Sequence, residues 1–340
     1  MSIPYRRLDH SKREIRLLEI NSTRNLNDPV ECKLITTRLT DDLEFIALSS
    51  LYGDAAQTER IWVSGQPVNI TAHLAGALKN IRAVFYPTIS RRFQRTPARR
   101  PHGAPRWLRQ LFGISNGPAL ESRALRVWVD LICVDQHDET ERQRQTIEMR
   151  QVYKAAELVI GWVGDKSDAT DATLEVFAEI EDKMPPRFGD PGDREEHPED
   201  YAPEHRWAKN ILHIWLPSIP GVAPCDMPYW QGYLDFLGRQ YFQRRWILEE
   251  LSLARFPCFL IGDSIIPWKQ ILRLIRMMEE FKHEESDVYP VYLKDSIAEL
   301  PLETVHKFLD EFARREALEE AKILLEAGKS RATSSTRSNE

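Results

Sequence analysis

Between Leu125 and Gly164 a strand, a capped helix and a second strand follow directly on one another, and a chain built this way has few folds open to it. Leu125-Arg-Val-Trp-Val-Asp-Leu-Ile-Cys-Val134 is long, apolar and β-branched, as a buried strand should be. Asp138 is placed to cap a helix, and Glu141 stands at the reciprocal capping position. Met149, Val152, Tyr153 and Ala156 give that helix an apolar stripe, and Leu158 to Val163 reads as the next strand, ended by Gly164. Strands that alternate with helices predict an α/β fold with a mainly parallel sheet flanked by helices. In such sheets ligands sit at the carboxyl ends of the strands.

The same alternation continues on either side. Leu43 to Ser49 reads as a strand, and Thr71 can cap a helix carrying Leu74, Ala77, Leu78 and Ile81 at helical spacing. Trp230, Tyr233, Leu234 and Leu237 predict a further helix, and Phe256 to Ile261 a strand whose start Pro257 confines to an edge or entry position. Pro267 opens a helix with Trp268, Ile271, Leu272 and Ile275, and Val305, Phe308, Leu309 and Phe312 begin the last one.

Two stretches interrupt this order. Residues 87–126 hold nine Arg, no Lys and one acid, whereas residues 165–204 hold fourteen acids against four bases. Both are turn-rich, so insertions are expected near 87–124 and 165–228. Residues 1–40 are read as an N-terminal segment, 41–280 as the main domain, 281–328 as a C-terminal helical extension and 329–340 as a disordered tail poor in apolar residues.

Composition excludes several classes. Over 340 residues, 42% are hydrophobic and 29% charged, an ordinary globular balance. A net charge of −6 argues against a general nucleic-acid binder. The Arg-rich 91–109 stretch, with Phe93 and Trp107, could stack single-stranded nucleic acid but is as readily a solvated or autoinhibitory loop. No run approaches a membrane span, and Met1 to Ile20 lacks a secretory apolar core. Cys32, Cys133, Cys225 and Cys258 lie far apart, and Cys133 and Cys258 read as buried free thiols, so a cytoplasmic or nuclear setting is expected. Gly328-Lys329-Ser330 is not a phosphate loop, because Ile323 stands where that loop needs Gly. Asp135-Gln-His-Asp-Glu139 could hold a cation with Asp130, but Asp138 as a helix cap and His137 as an exposed residue explain it better.

Three segments together resemble the fungal heterokaryon-incompatibility (HET) domain. They are Phe45-Ile-Ala-Leu-Ser-Ser-Leu-Tyr-Gly-Asp54; Val127-Trp-Val-Asp-Leu-Ile-Cys-Val-Asp-Gln136 with Glu141-Arg142, Gln145, Met149, Tyr153, Ala156 and Trp162-Val-Gly164; and Tyr241-Phe-Gln-Arg-Arg-Trp-Ile-Leu-Glu-Glu250. The resemblance spans about residues 40–275. Ser50, Tyr52, Val134-Asp135 and Glu249 depart from the family pattern. The domain in turn resembles TIR domains more remotely. Tyr241 to Leu251 is similar to the TIR segment that bears a catalytic glutamate, with Arg244 and Ile247 as departures.

These resemblances imply a TIR-like, flavodoxin-like core and a cytoplasmic effector of fungal nonself recognition and programmed cell death that cleaves NAD, taken as substrate and not held as cofactor. They place the catalytic carboxylate at Glu250 and imply a homo-oligomer with a possible upstream recognition protein. Cleavage of the nicotinamide–ribose bond releases a neutral base, so the demand is to steady an oxocarbenium ion, which one carboxylate in a dry cleft can meet. Trp246, four residues before Glu250 in a helix, lies on the same face and could desolvate it or stack on a ligand ring. Read from spacing alone, Glu250 could equally pair with Arg245 or Arg255 at the surface. Ser49, Tyr52, Gly53 and Asp54 form a loop at a strand's carboxyl end, suited to phosphate or ribose or to a plain turn. Asp130 is either a ligand contact or an acceptor for that loop's amides. The alternative is a non-catalytic signalling and oligomerisation module that acts through protein contacts.

Overall fold

The computed structural model describes residues 3, 5–23, 25–86, 124–190, 192–202, 205–215, 226–243, 251, 253–283, 291–298, 314, 317, 318 and 321. The chain forms two compact units. The first comprises Met1–Asp168 and Arg239–Trp268, the second Ala169–Gly238 and Lys269–Glu340.

The first unit holds the sheet. Its strands are β1 (Glu14–Ile20), β2 (Glu31–Arg38), β3 (Ile46–Ser50), β4 (Thr58–Val63), β5 (Gln66–Thr71), β6 (Leu125–Trp128), β7 (Leu158–Gly164), β8 (Pro257–Ile261) and β9 (Ser264–Pro267). Among the described residues they lie in the order β5-β4-β2-β1-β6-β3-β7-β8-β9. The helices are α1 (Ala72–Phe85), the single turn α2 (Asp130–Cys133) and α3 (Glu139–Ala155).

The sheet is mixed. The pairs β2–β4, β3–β6, β3–β7 and β7–β8 are parallel, and the pairs β1–β2, β1–β6, β4–β5 and β8–β9 antiparallel. Helix–strand alternation leads one to expect parallel pairing; hairpins supply much of the rest. The β4–β5 hairpin turns on Ser64 and Gly65, both at positive φ, the geometry of a two-residue turn that matches strand twist. Residues 1–40 contribute β1 and β2, and β1 lies in mid-sheet with Leu17 and Leu18 fully buried.

The central parallel strands read β6-β3-β7-β8. They carry the core: Phe45 to Leu48, Val127 to Val129 and Leu158 to Ile160 are all buried. Cys32, Cys133 and Cys258 are buried free thiols, and burial pushes Cys32 and Cys133 up to about 12; Cys225 lies outside the described residues. Pro257 opens β8 at an entry position, so its missing N–H interrupts no ladder interior.

Two expectations are corrected. The run Leu125 to Val134 is not one strand. β6 ends at Trp128: its pairing stops at Val127 against β1 and at Trp128 against β3, although both neighbouring strands continue. The chain then turns helically, with the amides of Ile132 and Cys133 bonded to the Val129 carbonyl. Asp138 does cap α3, its Oδ1 accepting from the amides of Thr140 and Glu141. Glu141, however, accepts from the Asp135 amide at 2.8 Å and pairs with Arg16 instead of reaching back. Arg16 and Glu141 are 1% and 5% exposed, and this bidentate pair fastens β1 to the start of α3.

The second unit is helical in its described part: α4 (Thr170–Lys183), α5 (Arg206–Trp215), α6 (Pro228–Gly238) and most of α7 (Trp268–His283). Phe177 of α4 meets Tyr233 and Phe236 of α6 edge-on at 5.2 and 6.3 Å between ring centres. Phe188 stacks on Tyr201 at 4.4 Å. Val305 to Phe312 and the tail 329–340 lie outside the described residues. Among the described residues no helix is long and apolar enough to cross a membrane.

Candidate functional site

The parallel strands β6-β3-β7-β8, renumbered by chain order, run 2-1-3-4. The order reverses between β3 and β7, and a crevice at the carboxyl ends of those strands is where an open α/β sheet receives a ligand. The residues that reach this place come from β3, the turn after it, α1, β7 and the segment after Gly238.

Ser49 of β3 is 1% exposed, and its Oγ accepts a 2.9 Å hydrogen bond from the Tyr241 hydroxyl. Ser49 lies opposite Gly161 of β7. Tyr241 fits there because position 161 has no side chain; a Cβ would run into the phenol. Ser50 donates to the Leu51 carbonyl at 2.9 Å.

The turn that follows is tied down from α1. The Thr71 hydroxyl donates to the Tyr52 carbonyl and also accepts from the Leu74 amide as the helix cap. Gly53 has φ +82, and a Cβ there would come within 2.6 Å of His73 Cβ, so the turn lies directly on His73. The Tyr52 side chain is 59% exposed, an aromatic face left open to solvent. Asp54 accepts from the Ala56 amide at 2.9 Å and starts the turn into β4.

Asp130 opens α2 instead of lying within a strand. Its Oδ1 accepts from the Leu131 amide at 2.9 Å, and its carbonyl accepts from the Gln136 side chain at 2.9 Å. Continuing the β3–β6 register sets it level with Ser49.

Four groups that carry no role in the motif reading gather at the same strand ends. The His73 and Trp162 rings are 5.9 Å apart and tilted by 53°. Trp162 is 1% exposed. A Cβ at position 76 would touch Trp162 Cζ2 at 3.6 Å and Asp165 Oδ1 at 3.8 Å, so the indole edge and the Asp165 carboxylate both border the second turn of α1. Trp162 Nε1 and His73 Nε2 are buried and have no hydrogen-bond partner among the described residues. Arg239 donates to the carbonyls of Val163 at 3.1 Å and Asp165 at 2.7 Å, bracing the point where β7 slips register against β8. Burial lowers the His73 pKa, Asp165 opposes that and Arg239 adds to it, so the imidazole is held neutral near pH 7.

The structure therefore brings Ser49, Tyr52, Gly53 and Asp54 together with His73, Trp162, Asp165, Arg239 and Tyr241. Trp246 and Glu250 lie outside the described residues. Leu251, which directly follows Glu250 in the chain, is fully buried. Among the described residues no group of three or more His, Cys, Asp or Glu could hold a metal ion. Trp162 and Tyr241 belong to motifs visible in the sequence; His73 carries no signal there beyond its place after the Thr71 cap.

The family described as "Heterokaryon incompatibility protein (HET)" matches residues 105–250. A curated relative, "Heterokaryon incompatibility protein 6, OR allele" of Neurospora crassa, is 22% identical over 282 residues, which cover 78% of this chain and 35% of the relative. The chain thus spans about a third of the length of the relative it matches. No solved structure matches the chain. The family match over residues 105–250 and the likeness to this relative together support a HET domain protein.

Proposed function

We propose that the chain is an effector of heterokaryon incompatibility, acting in fungal nonself recognition and programmed cell death, and that it acts by hydrolysing NAD at the nicotinamide–ribose bond. The incompatibility role rests on the HET family match and on the name of the Neurospora relative. The observation that supports NAD as substrate is the strand order β6-β3-β7-β8, a flavodoxin-like order whose reversal point collects polar groups with unmet hydrogen bonds. The TIR-like reading of the core rests on that same order and on the motif resemblance.

In this reading water adds to ribose C1′ as the C1′–N bond breaks. The bonding pair leaves with nicotinamide and neutralises its ring, and Glu250 steadies the positive ribose and takes the water's proton. Tyr52 offers its open face to a ligand ring, and the turn Ser49–Asp54 receives ribose or phosphate. Asp130, level with Ser49, and Trp246 complete the proposed contacts. Assembly with further copies completes the cleft, and the reaction proceeds in the cytoplasm, downstream of a separate recognition protein.

Expression in yeast tests this function. Induced wild-type chain should deplete cellular NAD before viability falls, and Glu250→Gln should spare both. Cell death with NAD unchanged would favour the module that signals through protein contacts alone.

A further inference from the structure

We propose that Trp162 Nε1 and His73 Nε2, beside the first two turns of α1, hold the phosphate of a ribose phosphate whose sugar hydroxyls bind Asp165. The inference deepens the NAD reading and rests on it for the identity of the nucleotide.

The indole N–H can only donate, and burying a donor without an acceptor costs about 1–3 kcal/mol. Trp162 is 1% exposed, so solvent does not serve it. Its ring edge lies against the second turn of α1, since Cζ2 of that edge lies 3.6 Å from where a Cβ of residue 76 would be. His73 occupies the second position of the same helix and has the same unmet need at Nε2. A helix of 14 residues brings the positive end of its dipole here, with the amides of Ala72 and Leu74 already bonded to Gln57 and Thr71. Two side-chain donors, with His73 in its Nε2–H tautomer, therefore lie beside the N-terminal half of α1, whose dipole favours an anionic oxygen.

The charged neighbours refine the choice. Asp165 and Arg239 both act on His73. Arg239 spends Nη1 on the Val163 and Asp165 carbonyls and adds positive charge. Asp165 is an exposed carboxylate at the rim and would repel a bare anion, but it accepts well from a vicinal diol. A phosphate joined to a sugar satisfies both ends, whereas free phosphate satisfies one. Gly53 lies against His73, so the turn Leu51–Ala56 covers that side of the imidazole.

Isothermal titration of the full chain with ADP-ribose, inorganic phosphate and adenosine tests the site. ADP-ribose should bind, and Trp162→Phe and His73→Ala should each weaken it about tenfold or more, the loss expected for one hydrogen bond to a charged group. Adenosine and inorganic phosphate should bind much more weakly than ADP-ribose, with or without the substitutions. His137→Ala, at an exposed residue outside the site, serves as control. Should Trp162→Phe fail to fold by circular dichroism, His73→Ala and Asp165→Asn carry the test. Unchanged ADP-ribose affinity in the folded variants, or no ADP-ribose binding by wild type, overturns the site. Binding that depends on these residues, in a chain that never releases nicotinamide from NAD, keeps the site and removes the hydrolase reading. Nicotinamide release with affinity insensitive to them does the reverse.

Discussion

Tyr241 and Gly161 show how tightly the strand ends are fitted. The phenol occupies the space of a missing side chain and reaches Ser49 through it. Gly161→Ala should destabilise the protein by about 1–3 kcal/mol, the usual cost of overpacking. Urea unfolding monitored by fluorescence would read this as a lower midpoint, and an unchanged midpoint would mean that Tyr241 is not seated against β7. His73 makes a second residue-scale prediction. Its folded pKa is lowered, chiefly by burial, so the unfolded chain binds the proton more readily. The stability this contributes is complete above the unfolded value near 6.5 and is lost as pH falls through the lower folded value. His73→Gln should therefore flatten the fall in melting temperature below pH 6.5, and identical pH profiles for the two proteins would contradict its burial. The site was only half legible at this scale. Ser49, Tyr52, Gly53 and Asp54 were marked by a strand followed by a turn glycine. His73, Asp165 and Arg239 become site residues only through the pairing of β3 with β7, which brings together residues far apart in the chain.

At the scale of elements, α1, α3, α6, α7 and the core strands were readable because their apolar periodicity is strong, whereas α4 and α5 lie in the stretch 165–228 read as a turn-rich insertion. Thr71 and Asp138 cap α1 and α3 as their residue types require. What escaped is equally instructive. β1 and β2 lie in a segment with no helix to alternate with, so they gave no β–α–β pattern. β4 and β5, joined by the Ser64-Gly65 turn, were likewise not read from the sequence. The strand predicted to run to Val134 stops at Trp128, and apolar residues alone do not tell a strand from a buried turn of helix. Glu141 looked like a capping residue and instead meets Arg16, a contact across 125 residues. Removing one partner of so buried a pair leaves the other uncompensated. Glu141→Gln should cost about 3–5 kcal/mol, and Arg16→Met combined with Glu141→Leu should cost much less. Equilibrium unfolding of the single and double variants would check this. Equal losses would show that packing, not charge, dominates there.

For the whole molecule, the division into two units matters to function. The sheet and every described candidate residue lie in the first, which is made of Met1–Asp168 and Arg239–Trp268. The second is helical and acidic where it begins, and it interrupts the first between β7 and Arg239. The Arg-rich 91–109 stretch lies outside the described residues. In the proposed function one carboxylate, Glu250, drives the cleavage of NAD. Purified wild-type chain, titrated upward in concentration and incubated with NAD, should release nicotinamide at a rate per chain that rises with concentration as copies assemble, whereas Glu250→Gln at equal concentration should release at least about a hundredfold less. Release by the Glu250→Gln variant at the wild-type rate, or none by wild type at any concentration, would contradict it.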